Sequence, residues 1–185
     1  MLKTGTSAYI MKRSRLVYKN KWLKVYEEIL VNKSSGRSAT FNKLETHDVA
    51  VVLPIFEDGS LLVVEVYRHA IRRKLLGLPG GFIEDNERPA DAARRELTEE
   101  TGYTCGLLKK KGWFYAWPAS STQKVHVFAA TGLRLAQKKK VEEFEYTRPK
   151  QISKEQIIKE IEVGSIRNAT TISAIALAYL LPMHK

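Results

Sequence analysis

The chain has little of several features that define common protein classes. Among its 185 residues it has a single cysteine, Cys105, so it can form neither an internal disulfide framework nor a cysteine-rich zinc site. No apolar run approaches the roughly 20 residues of a membrane-spanning helix, and residues 1–15 lack the apolar segment of a secretory signal. These absences predict a globular cytoplasmic protein without a membrane contact.

Positively charged residues are in excess. Thirty-one Lys and Arg against 20 Asp and Glu give a formal net charge of +11, which favours polyanionic partners: nucleic acid, anionic membranes or phosphorylated metabolites. Two clusters, Lys109–Lys111 and Lys138–Lys140, have no interleaved aromatic residues, so we interpret them as solvated loop ends. A nucleic-acid partner is therefore compatible with the charge but not favoured by the pattern.

Alternating apolar and polar residues predict strands in the first third of the chain. Residues 21–31 and a return run through Phe41 and Leu44 flank a Ser34–Gly36 turn, which is typical of an N-terminal antiparallel hairpin or small sheet. The later predicted strands are Val49–Phe56, Leu61–Tyr67, Trp113–Trp117 and Val125–Ala130. The residues that join the first two of these are typical of a hairpin turn. Because both runs are strongly β-prone, we expect them to be central strands.

Helical spacing and end signals predict three helices. They cover Glu87–Thr101, Lys154–Glu162 and Ala169–Leu180. Pro89 suits the first turn of the first helix, and Gly102 suits its left-handed C-cap. Ser153 is a favourable N-cap for the second helix.

One face of the first predicted helix is acidic. Glu96, Glu99 and Glu100 stand at positions i, i+3 and i+4, so their carboxylates repel one another unless a cation compensates them. Carboxylates are ligands that Mg²⁺ prefers, and Mg²⁺ commonly joins protein carboxylates to substrate phosphates. A solvated Glu-rich face is the simpler interpretation. The Gly-rich turn Leu78–Gly81 just upstream favours a functional site, because its backbone can approach an anion or ligate a metal.

The segment Gly81–Tyr103, GFIEDNERPADAARRELTEETGY, resembles the complete signature of the Nudix hydrolases. Every fixed position is present, and only Tyr103 departs, where an aliphatic residue is usual. The flanks are similar to the ADP-ribose and nucleoside-diphosphate-sugar pyrophosphatase branch, in Tyr67-Arg68, in Leu78–Gly81 and in Pro118. The resemblance covers roughly Val17 to Leu181, most of the chain.

The resemblance implies an α/β (α+β) Nudix fold, with a mixed β-sheet sandwiched between helices and an N-terminal antiparallel β-region. It assigns residues 1–46 to the β-region and residues 47–185 to the Nudix hydrolase domain. Because this branch often exchanges the β-region between subunits, the resemblance also implies a homodimer.

The same resemblance assigns roles to residues in and beside the signature segment Gly81–Tyr103, which is called the box below. Mg²⁺, which Mn²⁺ can replace, would be held by carboxylates and one backbone carbonyl: Glu96, Glu99, Glu100 and Gly80. Arg95 would orient these carboxylates and Glu87 would complete the outer site, with Arg95 and Glu99 counted among the catalytic residues. Substrate contacts are expected at Arg68, Gly81 and Pro118.

Two assignments stay open at this level. The general base in this branch is an acid on a later loop, and Glu142 lies where the resemblance puts it, with Glu143 beside it; an exposed acidic strand explains the pair equally well. Arg68 could clamp a phosphate or form a surface salt bridge. Likewise, Trp22, Tyr26 and Trp117 could stack on a base or pack in a core.

The expected function is Mg²⁺-dependent hydrolysis of the pyrophosphate bond of ADP-ribose or a related nucleoside diphosphate sugar, giving a nucleoside monophosphate and a sugar phosphate. Gly77 stands where the branch often has an acid, so a sugar other than ribose fits as well. The alternatives are hydrolysis of RNA 5′ ends or of dinucleoside polyphosphates. An alternative from another functional class is a non-catalytic nucleotide-sugar sensor or nucleic-acid-binding regulator.

Overall fold

The computed structural model describes residues 7–136 and 147–180, and the chain divides into two compact units. The first unit comprises Met1–His47 and Trp117–Gln123, and the second comprises Asp48–Ala116 and Lys124–Lys185. The second segment of the first unit was not foreseen. Its Ser120 carbonyl accepts a hydrogen bond from the Leu44 N–H at 2.7 Å, which joins the segment to the strand that contains Leu44.

The first unit contains a three-stranded antiparallel sheet. Its strands are β1 (Tyr9–Lys19), β2 (Leu23–Asn32) and β3 (Ser38–Thr46), in the order β1-β2-β3. The predicted N-terminal antiparallel region is thus present, with one strand more than the pattern indicated. Strand β1 gave no signal because both of its faces are exposed, so apolar and polar residues have no reason to alternate.

The second unit contains two sheets. The mixed sheet has the order β7-β4-β9-β8, in which β4 and β9 are parallel; its strands are β4 (Val49–Pro54), β7 (Gly80–Phe82), β8 (Tyr103–Tyr115) and β9 (Lys124–Leu135). The other sheet is antiparallel with the order β10-β5-β6; its strands are β5 (Leu61–Arg68), β6 (Arg73–Gly77) and β10 (Thr147–Ile152). A 3₁₀ turn, His69–Ile71, connects β5 to β6.

Helices cover both faces of the mixed sheet. They are α1 (Pro89–Thr101), α2 (Lys154–Glu162) and α3 (Ala169–Leu180). Ala50 and Val52 of β4 pack with buried residues of α1, whereas Val51 and Leu53 pack on the opposite face with the second sheet, α2 and α3. This alternation follows the pleat of the strand, and the expected sheet sandwiched between helices is confirmed. Among the described helices, none has the length and apolar character needed to cross a membrane.

The predicted helix ends are largely confirmed. Helices α2 and α3 have the predicted bounds, and Ser153 forms a reciprocal capping box with Gln156. Helix α1 begins at Pro89, two residues later than predicted, and ends at Gly102 with φ 79°, as its C-cap signal indicated. Local chemistry at the helix ends was therefore sufficient to locate them.

The prediction that Val49–Phe56 and Leu61–Tyr67 form central strands is confirmed, although the turn between them does not lead to an extended hairpin. The turn between them forms, with the Phe56 N–H donating to the Ser60 carbonyl at 2.9 Å, but only one bridge, Ile55 to Leu61, joins the two runs. Beyond it, β4 and β5 enter different sheets, each as a central strand. Both strands are buried on both faces, which a simple two-stranded hairpin could not achieve.

The interpretation of Lys109–Lys111 as a loop end is also wrong. These lysines lie inside β8, which begins ten residues earlier than the predicted strand, and β9 likewise continues beyond its predicted end to Leu135. Glycine and lysine are poor strand formers, which hid the extension. Strand β8 is an edge strand of the mixed sheet, where lysines are common because they oppose pairing with other chains. The second cluster, Lys138–Lys140, lies outside the described residues.

Candidate functional site

The box occupies β7, the loop after it and helix α1. Helix α1 is anchored by Ala92, Ala93 and Leu97, all of which are fully buried against the mixed sheet. The polar side of the helix, which carries the glutamates, therefore turns towards the end of the sheet where β7 lies. The fold itself brings together the Gly-rich turn and the acidic stripe that the sequence identified separately.

Arg95 is the centre of this cluster. Its Nε and Nη2 donate to the two oxygens of the Glu87 carboxylate at 2.9 and 3.0 Å, and Nη2 also donates to the Phe82 carbonyl at 2.9 Å. Its Nη1 donates to Glu96 at 2.8 Å and to Glu99 at 3.0 Å. A guanidinium has five N–H groups, and all five are used here. Arg95 therefore fixes three carboxylates and the end of β7 relative to one another.

Glu87 is held from two sides before the helix begins. Besides the paired bonds from Arg95, its carboxylate accepts the Glu84 N–H at 2.9 Å. The hydrogen bond from Arg95 lowers the pKa of Glu87, and the same bond raises the pKa of Arg95. Both groups thus stay charged over the physiological range, as two parallel hydrogen bonds between a guanidinium and a carboxylate require.

The Gly80–Gly81 turn contacts two of the helix carboxylates directly. The Gly80 N–H donates to Glu100 Oε2 at 2.8 Å. At Gly81 a methyl group would lie 2.7 Å from Glu96 Cδ, closer than real side chains approach. A side chain at Gly81 would displace the Glu96 carboxylate from this backbone. At Gly80 an added Cβ would meet the Ala50 carbonyl, so glycine is a steric requirement at that position.

Arg95 contacts three of the four glutamates in the cluster, Glu87, Glu96 and Glu99. The neighbouring Arg94 is directed to the Cys105 carbonyl and Sγ instead, each at 3.3 Å. Glu100 accepts the Gly80 N–H. Carboxylates gathered this closely favour a nearby cation.

The donor chemistry of this cluster fits Mg²⁺. No group of three or more His, Cys, Asp or Glu side chains within residues 7–136 and 147–180 is preassembled as a metal site. Mg²⁺ does not need one, because it commonly binds one or two carboxylates together with water and substrate phosphates. Glu96 and Glu100, which lie against the glycine backbone, are the side chains that present oxygen donors there.

The other predicted site residues are not among the contacts of this cluster described above. Arg68 is the exposed last residue of β5 and stands opposite Arg73 of β6. Pro118 belongs to the first unit. Glu142 and Glu143 lie outside the described residues.

Two contacts at the end of α1 were missed. Thr147 Oγ1 donates to the Glu100 carbonyl at 3.2 Å, and the Ala136 N–H donates to the Gly102 carbonyl at 3.0 Å. Strand β10, which begins at Thr147, was not predicted because Pro149 opposes strand structure. A proline is tolerated there because β10 is an edge strand.

The aromatic residues Trp22, Tyr26 and Trp117 are not core residues of the first unit. Trp22 and Trp117 are exposed, and Tyr26 is half-buried. Trp22 lies in a pocket of about 330 Å³ within the first unit, with the Lys21 ammonium 4.4 Å from its ring centroid and His47 edge-on at 6.3 Å. Core packing is thus wrong for both tryptophans, and stacking on a ligand remains a prediction.

The chain is similar in sequence and in fold to known proteins. The NUDIX domain matches residues 45–164. The chain is 30% identical to the ADP-ribose pyrophosphatase of Bacillus subtilis (strain 168) over 165 residues, which cover 89% of this chain and 88% of that protein. It is 29% identical to the ADP-sugar pyrophosphatase of Mus musculus over 134 residues, 66% of this chain and 61% of that protein. A crystal structure of an ADP compounds hydrolase has the same fold, with a TM-score of 0.82 at 21% identity over 93% of this chain and 92% of that one.

Proposed function

Since the chain belongs to the Nudix hydrolase family, we propose that it hydrolyses the pyrophosphate bond of ADP-ribose or a related nucleoside diphosphate sugar, with Mg²⁺ as cofactor. The products would be a nucleoside monophosphate and a sugar phosphate. The observation that carries the proposal is the set of carboxylates gathered by Arg95 against the Gly80–Gly81 backbone. The full-length similarity to an ADP-ribose pyrophosphatase supports this substrate class.

The chain's own residues prepare the site before the substrate binds. Arg95 holds Glu96 and Glu99 at fixed positions, and the Gly80 N–H holds Glu100, so little side-chain freedom is lost on binding. Glu96 and Glu100, with Glu99 and the Gly80 carbonyl as further donors, would hold Mg²⁺. When bound, the cation would neutralise the diphosphate and make a water more acidic. Mn²⁺ can replace Mg²⁺ in such an oxygen-donor site.

We assign the general base to Glu142. The described residues on either side of its segment are both bound to the end of α1: Ala136 to Gly102, and Thr147 to Glu100. The resemblance places the loop acid of this branch at Glu142, five residues before Thr147. We expect Glu142→Gln to lower kcat by about 100-fold or more without changing the melting temperature. Near-normal turnover, with Glu143→Gln inactive instead, would move the role to Glu143.

Substrate contacts are proposed at Arg68, Gly81 and Pro118. Arg68 supports an anion contact because it is exposed and because the cation opposite it, Arg73, raises the local positive charge. Replacing Arg68 with Gln should raise KM for a nucleotide sugar more than it lowers kcat. An equal effect on a neutral ester substrate would argue against a phosphate contact.

We propose that the protein is a cytoplasmic homodimer in which the β-region before Thr46 is exchanged between subunits. Strand β1 supports this, since all of its residues are exposed and six of them are large and apolar: Tyr9, Ile10, Met11, Leu16, Val17 and Tyr18. Exposed apolar patches of this kind mark interaction surfaces. A monomeric mass in solution scattering at micromolar concentration would contradict the proposal.

A substrate panel with Mg²⁺ tests the proposed activity. The panel contains ADP-ribose, GDP-mannose, UDP-glucose, a diadenosine polyphosphate and RNA with a 5′-triphosphate, and the products are separated by chromatography. We expect cleavage of at least one nucleotide sugar into a nucleoside monophosphate and a sugar phosphate. Cleavage of RNA alone would favour the 5′-end activity, and no cleavage of any compound would favour a binding module. Glu162→Gln, an exposed α2 variant, is the matched control for charge loss.

A further inference from the structure

The Gly-rich turn crosses from one sheet of the second unit to the other. Strand β6 ends at Gly77, which pairs with Val64 of β5, and β7 begins at Gly80 in the mixed sheet. Leu78 and Pro79, between them, belong to neither sheet. Leu78 is only 5% exposed. Its backbone N–H therefore needs a partner within the protein, because a buried N–H without an acceptor costs free energy.

A side chain of α3 supplies this partner. The Thr171 hydroxyl oxygen accepts the Leu78 N–H at 3.2 Å, and the two residues are 93 positions apart in the sequence. Thr171 is 1% exposed, so the hydrogen bond is shielded from water. Neither the resemblance nor the proposed mechanism gives Thr171 a role. Its hydroxyl group is nevertheless the means by which α3 holds the turn that leads into the candidate site.

The next two residues of the turn are held as well. The Pro79 carbonyl accepts the Val52 N–H at 2.9 Å, and the Gly80 N–H donates to the Glu100 carboxylate at 2.8 Å. Proline has a fixed φ, and the residue before a proline is also restricted, so the segment from Leu78 to Gly80 is stiff. A displacement of Leu78 therefore moves the N–H that holds Glu100.

Gly77 leaves room for the Thr171 hydroxyl. A Cβ atom added at Gly77 would lie 3.1 Å from Thr171 Oγ1, which is closer than an ordinary van der Waals contact. The φ of Gly77 is not in the left-handed region, so its backbone conformation does not itself require glycine. What a larger residue would disturb at this position is the Thr171 hydroxyl. Gly77 and Thr171 are thus sterically coupled.

We propose that Thr171 is a positioning residue of the metal site, an inference that rests on the proposed function. It acts through Leu78 and Gly80 on Glu100, a proposed Mg²⁺ ligand, and does not itself contact metal or substrate. Replacing Thr171 with Val nearly keeps the shape of the side chain but leaves the Leu78 N–H without an acceptor. The turn then relaxes, and Glu100 is held less firmly. The expected result is weaker metal binding with little change in turnover at saturating metal.

The Mg²⁺ dependence of turnover tests the inference in the active enzyme. Thr171→Val should raise the Mg²⁺ concentration for half-maximal activity about tenfold, with kcat at saturating Mg²⁺ within about threefold of the parent. Thr171→Ser keeps the hydroxyl group and should stay near the parent. Ser153→Ala is the matched control, because it weakens the second unit at the N-cap of α2 and leaves the turn intact. A Mg²⁺ dependence in Thr171→Val equal to that of Ser153→Ala would overturn the inference.

Binding of Mn²⁺ alone, measured by the electron paramagnetic resonance signal of the free ion, tests the inference without turnover. Thr171→Val should weaken Mn²⁺ binding about tenfold, and Thr171→Ser should not. Mn²⁺ binding that depends on Thr171 in a protein that cleaves no nucleotide sugar would contradict only the proposed activity. Cleavage of a nucleotide sugar with Mn²⁺ binding that is the same in Thr171→Val and the parent would contradict only the role of Thr171.

A double-mutant cycle tests the coupling of Gly77 to Thr171. Gly77→Ala should weaken Mn²⁺ binding in the parent, because the added methyl group displaces the Thr171 hydroxyl. The same change should have a much smaller effect in a Thr171→Ala background, where no hydroxyl is present to displace. Equal effects of Gly77→Ala in the two backgrounds, with all variants folded by thermal denaturation, would show that Gly77 does not act through Thr171 and would contradict the proposed route.

Discussion

The two units differ in where their apolar side chains go. In the second unit, β4 alone contributes Ala50, Val51, Val52 and Leu53 to the core, with at most 4% of any of them exposed. In the first unit, no residue from 7 to 47 is buried. Burial of apolar surface is the main stabilising term in folding. The second unit is thus stabilised by its own core, whereas the sheet of the first unit contributes no buried side chain.

The same contrast separates the candidate site from the proposed dimer interface. All of the residues that Arg95 contacts belong to the second unit, and the exposed apolar strand β1 belongs to the first. We therefore expect substitutions in the second unit to change turnover without changing the oligomeric state. Substitutions in β1 should change the oligomeric state first.

The largest expected effect is at the helix carboxylates. Glu96→Gln or Glu100→Gln should lower kcat/KM about 1,000-fold, because each change removes a charged oxygen donor without altering shape. Sedimentation should show the parent's oligomeric state. Activity within tenfold of the parent would refute the role of these carboxylates, and a changed mass would refute the separation of the units.

A smaller effect is expected from charging β1. Ile10 and Met11 are consecutive, regularly paired residues and project to opposite faces of the strand, so Ile10→Glu and Met11→Glu test the two faces separately. The variant on the interface side should weaken association about 100-fold, as loss of a central apolar contact does. Analytical ultracentrifugation over a dilution series measures this. If neither change shifted the equilibrium, β1 would not be the interface.

Arg95 should give an intermediate loss of function. Arg95→Lys keeps the charge but cannot make five hydrogen bonds, so Glu87 and Glu99 lose their fixed positions. We expect kcat to fall 10- to 100-fold, with a loss of about 1–3 kcal/mol in the free energy of unfolding. Because Arg95 acts through the carboxylates, higher Mg²⁺ concentrations should restore part of the activity. No rescue by Mg²⁺ would indicate a direct contact with substrate.

The N-cap of α2 tests the stability of the second unit alone. Ser153→Ala removes the capping box and should cost about 1 kcal/mol of unfolding free energy. Denaturation should show a lower midpoint with unchanged turnover at room temperature. Thr104→Ala, an exposed change on β8, provides the comparison. A fall in turnover larger than the fall in folded population would tie α2 to the site.

The smallest effect is confined to acid. Because the pKa of Glu87 is lowered on folding by Arg95, the stabilisation is complete above its ordinary pKa of 4.5 and is lost as the pH falls through the folded value. Glu87→Gln should therefore be less stable than the parent at pH 7 and should lose less stability between pH 5 and pH 3. Parallel curves for the two proteins would show that the ion pair contributes nothing.

Local signals explain which parts of the fold were predictable. Pro89, Gly102 and Ser153 mark helix ends by chemistry that acts within one turn, so the sequence was sufficient there. Strands β1 and β10 lack such signals: one has no buried face, and the other contains Pro149. The separation of β4 from β5 depends on partners distant in sequence. Pairing across a sheet is a tertiary property that periodicity does not encode.

The candidate site shows the same division. The acidic stripe on α1 follows from helical spacing, and the motif resemblance added Arg95 and Glu87. The five bonds of Arg95 and the contact of Glu96 with Gly81 depend on the docking of α1 against β7, which only the coordinates reveal. The faces of Trp113 and Tyr115 likewise depend on the register of β8, which the sequence alone does not give.

That register contains one irregularity, between Lys110 and Gly112, where Lys111 has no partner on β9. This irregularity is a β-bulge. Because of it, Leu108 and Trp113 point to the same face of the sheet, although regular alternation over five residues would place them on opposite faces. If Lys111 were instead paired in turn, each later residue of β8 would move by one place, so that Phe114 would face α1 and Trp113 and Tyr115 would face the core. One unpaired residue thus decides which aromatic rings of this strand are exposed.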